Sequence, residues 1–342
     1  MDKQTLEDIA RRLLADGKGL LAIDESTPTC GKRFEDYGID NTEDNRRDYR
    51  ALLLSAPGLG ESVSGAILYD ETLRMKTADG TPFPTMMNDN GVIPGIKVDT
   101  GAKDLAGHPS EKVTEGLDGL RDRLAEYHAM GARFAKWRAV ITIGDGIPSA
   151  ACYAANAHAL ARYAALCQEA GIVPIVEPEV LLDGDHDIDR CHDVTEKTLT
   201  RLFAELREQQ VHLPGLILKA SMVLPGKQAA RQADVREVAQ ATLRCLYASV
   251  PASVPGVAFL SGGQSNESAT AHLDAMNRID GGAGPWTLTF SYARALQQPA
   301  LDAWRGDAAN VESAQNALLH RARCNSAAAR GQYDPAQERQ VA

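Results

Sequence analysis

The chain reads as an α/β protein, a single-domain (β/α)8 TIM barrel. Three observations predict this. Eight short apolar runs of strand length recur along 342 residues, nearly all followed by a helical pattern. No composition break marks a linker, and the length covers the roughly 250 residues that such a barrel needs. The first strand runs into Asp24-Glu25-Ser26-Thr27, where a doubly wound dinucleotide fold would carry a G-x-G-x-x-G turn. The barrel is assigned to residues 1–330 and a flexible C-terminal tail to 331–342.

In order, an amphipathic helix over 5–14 ends at Gly17 and Gly19, before the first strand, 20–23. A helix over 42–54 follows, with Thr42 as N-cap, acidic Glu43 and Asp44 in its first turn, and Tyr49, Leu52 and Leu53 on one face. Strands two and three are 65–69 and 93–99. A helix over 116–130 stops at Gly131 and leads to strand four, 133–141. An Ala-rich helix, 149–170, precedes strand five, 172–180. A helix over 194–208 precedes strand six, 215–223. A helix over 234–248 precedes strand seven, 256–263. A helix over 267–276 precedes strand eight, 286–293. Helices over 294–303 and 311–325 close the pattern, and the polar chain from Ser326 onward reads as mobile.

The net charge of −10 argues against nucleic acid and anionic membrane surfaces as partners, but leaves room for an anionic small molecule in a locally basic site. Six scattered cysteines without a C-x-x-C pair read as reduced, buried thiols, which with the charged, signal-free start at Met1 suggests a cytoplasmic protein. No apolar run approaches the roughly 20 residues that span a bilayer. The eight histidines form no H-x-x-x-H or H-E-x-x-H pair, so neither a metal nor a cofactor is expected.

Strand six holds one lysine, Lys219, in an apolar run. Alone, it suits a lysine snorkelling from a strand end better than a nucleophile. Strand ends elsewhere change that balance. Side chains alternate along a strand, so Asp24 shares a face with Ser26, Lys97 with Asp99, Lys136 with Arg138, Glu177 with Glu179, and Lys219 with Ile217 and Ser221. In a barrel these C-terminal strand ends converge on one mouth. A neighbouring cation such as Lys136 would favour the uncharged amine that adds to a carbonyl, and Glu177, Glu179 and Asp24 could balance charge and move protons. After strand seven, Ser261, Gly262 and Gly263 suit an oxyanion; after strand eight, Ser291 and Arg294 do the same. Each is weak alone, but barrel enzymes commonly hold phosphate there. Lys32 and Arg33 suit a second anion or a solvated surface equally.

The stretches LAIDEST (21–27), GIKVD (95–99), FAKWR (134–138), IVEPE (175–179), LSGGQS (260–265) and FSY (290–292) resemble those of the class I fructose-bisphosphate aldolases, in order from about residue 5 to about residue 330. The resemblance implies a homotetrameric barrel that cleaves fructose 1,6-bisphosphate reversibly through a lysine Schiff base, without metal. It implies Lys219 as the Schiff-base lysine, Glu177 as proton shuttle, Asp24 for proton transfer at the C4 hydroxyl, Lys136 beside it, and Glu179 as electrostatic support. Ser261, Gly262 and Arg294 would hold one phosphate. Ser26 and Lys97 would hold the other, with Lys32, Arg33 or Arg138 as further candidates. Other ketose phosphates, or a phosphosugar-binding barrel without catalysis, are the alternatives. The chain departs from the family pattern at Thr29, Ala220-Ser221 and Ala293, and its last residues lack the terminal tyrosine that many members use for proton exchange; Tyr333 is not its equivalent.

Overall fold

In the computed structural model, which describes residues 2–339, eight parallel strands close into a barrel. The chain begins α1 (Lys3–Leu13), β1 (Gly19–Ile23), α2 (Thr27–Glu35), α3 (Glu43–Leu54), β2 (Val63–Leu68), α4 (Asp70–Arg74), α5 (Phe83–Asp89) and β3 (Ile93–Lys97). A hairpin of β4 (Gly101–Asp104) and β5 (Lys112–Glu115) follows, then α6 (Leu120–Ala129), β6 (Phe134–Ile141), α7 (Ala150–Glu169), β7 (Val173–Val180) and α8 (Ile188–Glu208). The remainder is β8 (Ile217–Ala220), α9 (Val235–Ser249), β9 (Gly256–Phe259), α10 (Asn266–Asp280), β10 (Thr287–Tyr292), α11 (Arg294–Trp304) and α12 (Val311–Ala329). Around the barrel the order is β1-β10-β9-β8-β7-β6-β3-β2. The eight expected strands are these eight; β4 and β5 pair with each other, antiparallel, outside the barrel.

Two apolar cores hold the fold. The larger lies between the strands and the helical ring. The smaller fills the lower barrel: Leu20, Ile93, Phe134, Val173, Ile175 and Ile217 meet Leu6, Ile9, Leu13 and Leu14, so the amphipathic α1 closes the N-terminal end of the strands. Small and large residues complement each other in this layer. A Cβ at Gly95 would come within 2.2 Å of the Phe134 ring, so glycine there makes the room the phenyl group fills.

Capping follows the sequence at α3, where Thr42 Oγ1 accepts from Asn45 N–H; at α7 Ser149 is the cap and not the first helical residue, its Oγ accepting from Cys152 N–H. Helix α8 begins earlier than its apolar period suggests because Asp187 caps it, accepting from Arg190 N–H. Helix α2 and the β4–β5 hairpin were not expected: their polar sequences carry little periodicity, and contacts with the barrel mouth define them.

The C-terminal end corrects the expectation of a mobile tail. Helix α12 runs through Ser326 to Ala329, Tyr333 is buried, and Pro335–Arg339 forms a 3-10 turn packed against α12. Polar composition hid this because its anchors are an ion pair and one aromatic ring. Gln340, Val341 and Ala342 lie outside the described residues. All six cysteines are free and buried. Among the described residues, no helix is long and apolar enough to cross a membrane.

Candidate active site

A cavity of about 350 Å³ opens at the C-terminal ends of the barrel strands. Asp24 enters it just after β1, Lys97 from the end of β3, Lys136 and Arg138 from β6, Glu177 and Glu179 from β7, and Lys219 from β8. The β6–β7 register places Arg138 beside Glu177 and Val140 beside Glu179, and β3–β6 pairing places Lys97 beside Lys136. Six cationic side chains face five carboxylates around the cavity, in a chain of net charge −10. The site is therefore locally more basic than the molecule that carries it, which suits an anionic substrate.

At its floor, Glu177 is wedged between the amino groups of Lys219 and Lys136. Lys219 Nζ lies 3.0 Å from Glu177 Oε1, and Lys136 Nζ lies 3.4 Å from Glu177 Oε2 and 2.8 Å from Asp24 Oδ2. All are nearly dehydrated: Lys219 and Lys136 are each 4% exposed and Glu177 3%. Burial opposes ionisation of Asp24, but Lys136 and Lys219 outweigh it and hold the carboxyl well below its usual range. Glu177 is likewise held low against burial, by Lys219 and then Lys136. Burial acts against the Lys136 charge, yet Asp24 and Glu177 keep it protonated above the ordinary lysine range. Each buried charge thus has a counter-charge in contact, as the cost of burying it demands. Arg138 and Glu179 form a further ion pair on the wall.

A sequence model of the family described as "Glycolytic: Fructose-bisphosphate aldolase class-I" matches residues 5–342. The chain belongs to the class I fructose-bisphosphate aldolases. A "probable fructose-bisphosphate aldolase class 1" from Xanthomonas campestris pv. campestris is 59% identical over 334 residues, covering 97% of this chain and 99% of that protein. The "fructose-bisphosphate aldolase 4, cytosolic" of Arabidopsis thaliana is 52% identical over 93% of this chain and 80% of its own. A solved structure of fructose-bisphosphate aldolase from Plasmodium falciparum superposes with a TM-score of 0.95 at 46% identity, covering 97% of this chain and 96% of that one. As a member of this family the enzyme cleaves D-fructose 1,6-bisphosphate reversibly to dihydroxyacetone phosphate and D-glyceraldehyde 3-phosphate, through a lysine Schiff base, in glycolysis and gluconeogenesis.

Of the residues expected in this aldolase's site, Ser26, Lys97, Arg138, Ser261, Gly262, Ser291 and Arg294 also line the cavity, with Arg33. The buried Ser291 hydroxyl has no partner among the described residues, so it is free to meet a ligand oxygen. Three residues at or near these strand ends do not line the cavity. Gly263 does not line the cavity; its backbone is left-handed, at φ 80°, and an added Cβ would meet Lys227 instead. Ser221 turns away once β8 ends at Ala220, and its hydroxyl donates to Val180 O. Lys32 is not part of the wall.

Glu25 was missed. Strand alternation points it away from Asp24, yet it lies against the cavity edge, paired with Arg33 at 2.8 Å and with the buried Arg50 at 2.7 Å. Gln297 donates to the same carboxylate. Arg50 and Gln297 stand too far along the chain from Glu25 to leave a spacing signal. The β4–β5 hairpin adds Gly101 and Ala102 to the rim.

Proposed function

We propose that Lys219 is the Schiff-base lysine of the reaction and Glu177 its proton shuttle. The contact of Lys219 Nζ with Glu177 Oε1, on the cavity floor, carries this reading. Glu177 takes a proton from Lys219 Nζ, the freed amine adds to the C2 carbonyl, and Glu177 returns that proton to the C2 oxyanion; it then takes the second proton from nitrogen and passes it to the carbinolamine hydroxyl, which leaves as water. The resulting protonated imine withdraws electrons from C3. When C3–C4 breaks, the electron pair is held as an enamine, and the C4 hydroxyl proton passes to Asp24, next to Lys136. The enamine then takes a proton at C3, and hydrolysis frees dihydroxyacetone phosphate and Lys219.

Ser261, Gly262, Ser291 and Arg294 hold the phosphate on the dihydroxyacetone phosphate half. Arg294 follows β10 and lines the cavity, where its guanidinium suits an incoming phosphate. Ser26, Lys97, Arg138 and Arg33 serve the other phosphate. Two such grips align the sugar for cleavage. Glu179 holds Arg138 in place. Side chains alone supply this chemistry, with neither metal nor cofactor. We read the enzyme as a homotetramer on the family resemblance, and as cytoplasmic because relatives from Arabidopsis thaliana and Spinacia oleracea carry cytosolic or cytoplasmic in their names.

Borohydride reduction with dihydroxyacetone phosphate, followed by peptide mapping, tests the assignment. The adduct is expected on Lys219; an adduct on Lys136 or Lys97 refutes it.

A further inference from the structure

We infer that Arg321 and Glu338 form a clamp that positions the grip on the dihydroxyacetone phosphate half, so that the C-terminal segment tunes substrate binding without touching substrate. This rests on the proposed phosphate role of Ser261, Gly262 and Arg294. The two halves of that grip sit on different loops. The turn at 261–265 ends where α10 starts, and Arg294 opens α11. Arg321, on α12 and only 3% exposed, reaches both helix starts. Its Nη2 donates to Asn266 O at 3.2 Å and to Thr270 Oγ1 at 2.6 Å, and its Nε donates to Ala295 O at 3.4 Å. Asn266 is one residue past the turn, and Ala295 is one residue past Arg294. A planar guanidinium with rigidly placed donors fixes the spacing of the groups it bonds.

A buried cation needs a counter-charge, and Glu338 supplies it from the 3-10 turn Pro335–Arg339. Arg321 Nη1 donates to both Glu338 oxygens. The Tyr333 hydroxyl donates to Glu338 at 2.8 Å, while Tyr333 N–H donates to Asp274 of α10 at 2.8 Å, so the carboxylate is itself held in place. His320 and Cys324 also stand close to Glu338. With both oxygens engaged by Arg321, the carboxylate serves as the partner of the guanidinium and not as a metal ligand. Arg321 and Glu338 are absent from the cavity wall, so they are positioning residues.

The test compares full-length wild type, Glu338→Gln, Arg321→Lys and, as calibration, Arg294→Ala. It reads kcat and KM for fructose 1,6-bisphosphate, the inhibition constant of inorganic phosphate, and borohydride trapping at saturating dihydroxyacetone phosphate. In Glu338→Gln and Arg321→Lys, KM and the phosphate inhibition constant should each rise about three- to tenfold, with kcat within about twofold and saturated trapping intact. Arg294→Ala should raise the same constant further. If it does so while Glu338→Gln changes only thermal stability, or only kcat, the clamp is refuted and the grip stands. If Arg294→Ala leaves phosphate inhibition unchanged, the grip itself is wrong and the clamp falls with it. Should Glu338→Gln not fold, Tyr333→Phe removes one bond to the same carboxylate, and an unchanged inhibition constant there also refutes the clamp.

Discussion

Along β6 the side chains inside the barrel run from Phe134 to Lys136 and Arg138; along β7 from Val173 and Ile175 to Glu177 and Glu179; along β8 from Ile217 to Lys219. The lower half of each strand is apolar and sealed by α1, and the upper half is charged and opens to the cavity. Backbone pairing is continuous between the halves, as in the β6–β7 ladder. What changes is the source of order. Below, shape and apolar burial hold the side chains, as where Phe134 fills the space left by Gly95. Above, desolvated charges hold one another, so the same groups that organise the site make it depend on protonation.

The sharpest break in this comparison is expected from Lys219→Met. Removing the amine should cost on the order of 10⁴-fold or more in kcat/KM, measured by coupled assay of triose phosphate release. Glu177 keeps Lys136 as a partner, so the melting temperature should move less than in a lower-barrel variant. Such a variant is Phe134→Ala. It should lower stability by about 3–5 kcal/mol in denaturant titration, while kcat/KM per folded molecule stays close to wild type. A large kcat/KM loss in Phe134→Ala would show the two halves to be coupled.

The smallest expected effect concerns pH. His272, on α10 behind the 261–265 turn, contacts Gln264 Oε1 through Nδ1 at 2.6 Å, and burial lowers its pKa to about 4. The native state therefore keeps it neutral where the unfolded chain takes up a proton, so stability falls as pH drops from about 7 toward 4. Over the step from pH 7 to pH 5 this amounts to roughly 2 kcal/mol, and His272→Gln should flatten it. Asp24 and Glu177 act in a lower window. Their depressed values favour the folded state at neutral pH, and that contribution is lost only as pH falls below the usual carboxylate range. Chemical denaturation at several pH values separates the two, and a pH-independent difference between wild type and His272→Gln would rule out the histidine as the source.

The eight apolar strand runs determined the barrel, and the period-two alternation at Lys97/Asp99, Lys136/Arg138 and Glu177/Glu179 determined most of its mouth, because both are local patterns along single strands. Alternation fails where a strand ends. Beyond Ala220 and beyond Leu260 the chain leaves the ladder, so Ser221 and Gly263 turn elsewhere, and no periodic rule covers them. Only tertiary structure brings Arg50 and Gln297 to Glu25, or Glu338 to Arg321, and only it shows Glu177 standing between the two lysines. Those contacts are chosen by the pairing of buried charges across elements far apart in sequence, and such pairing leaves no period to read.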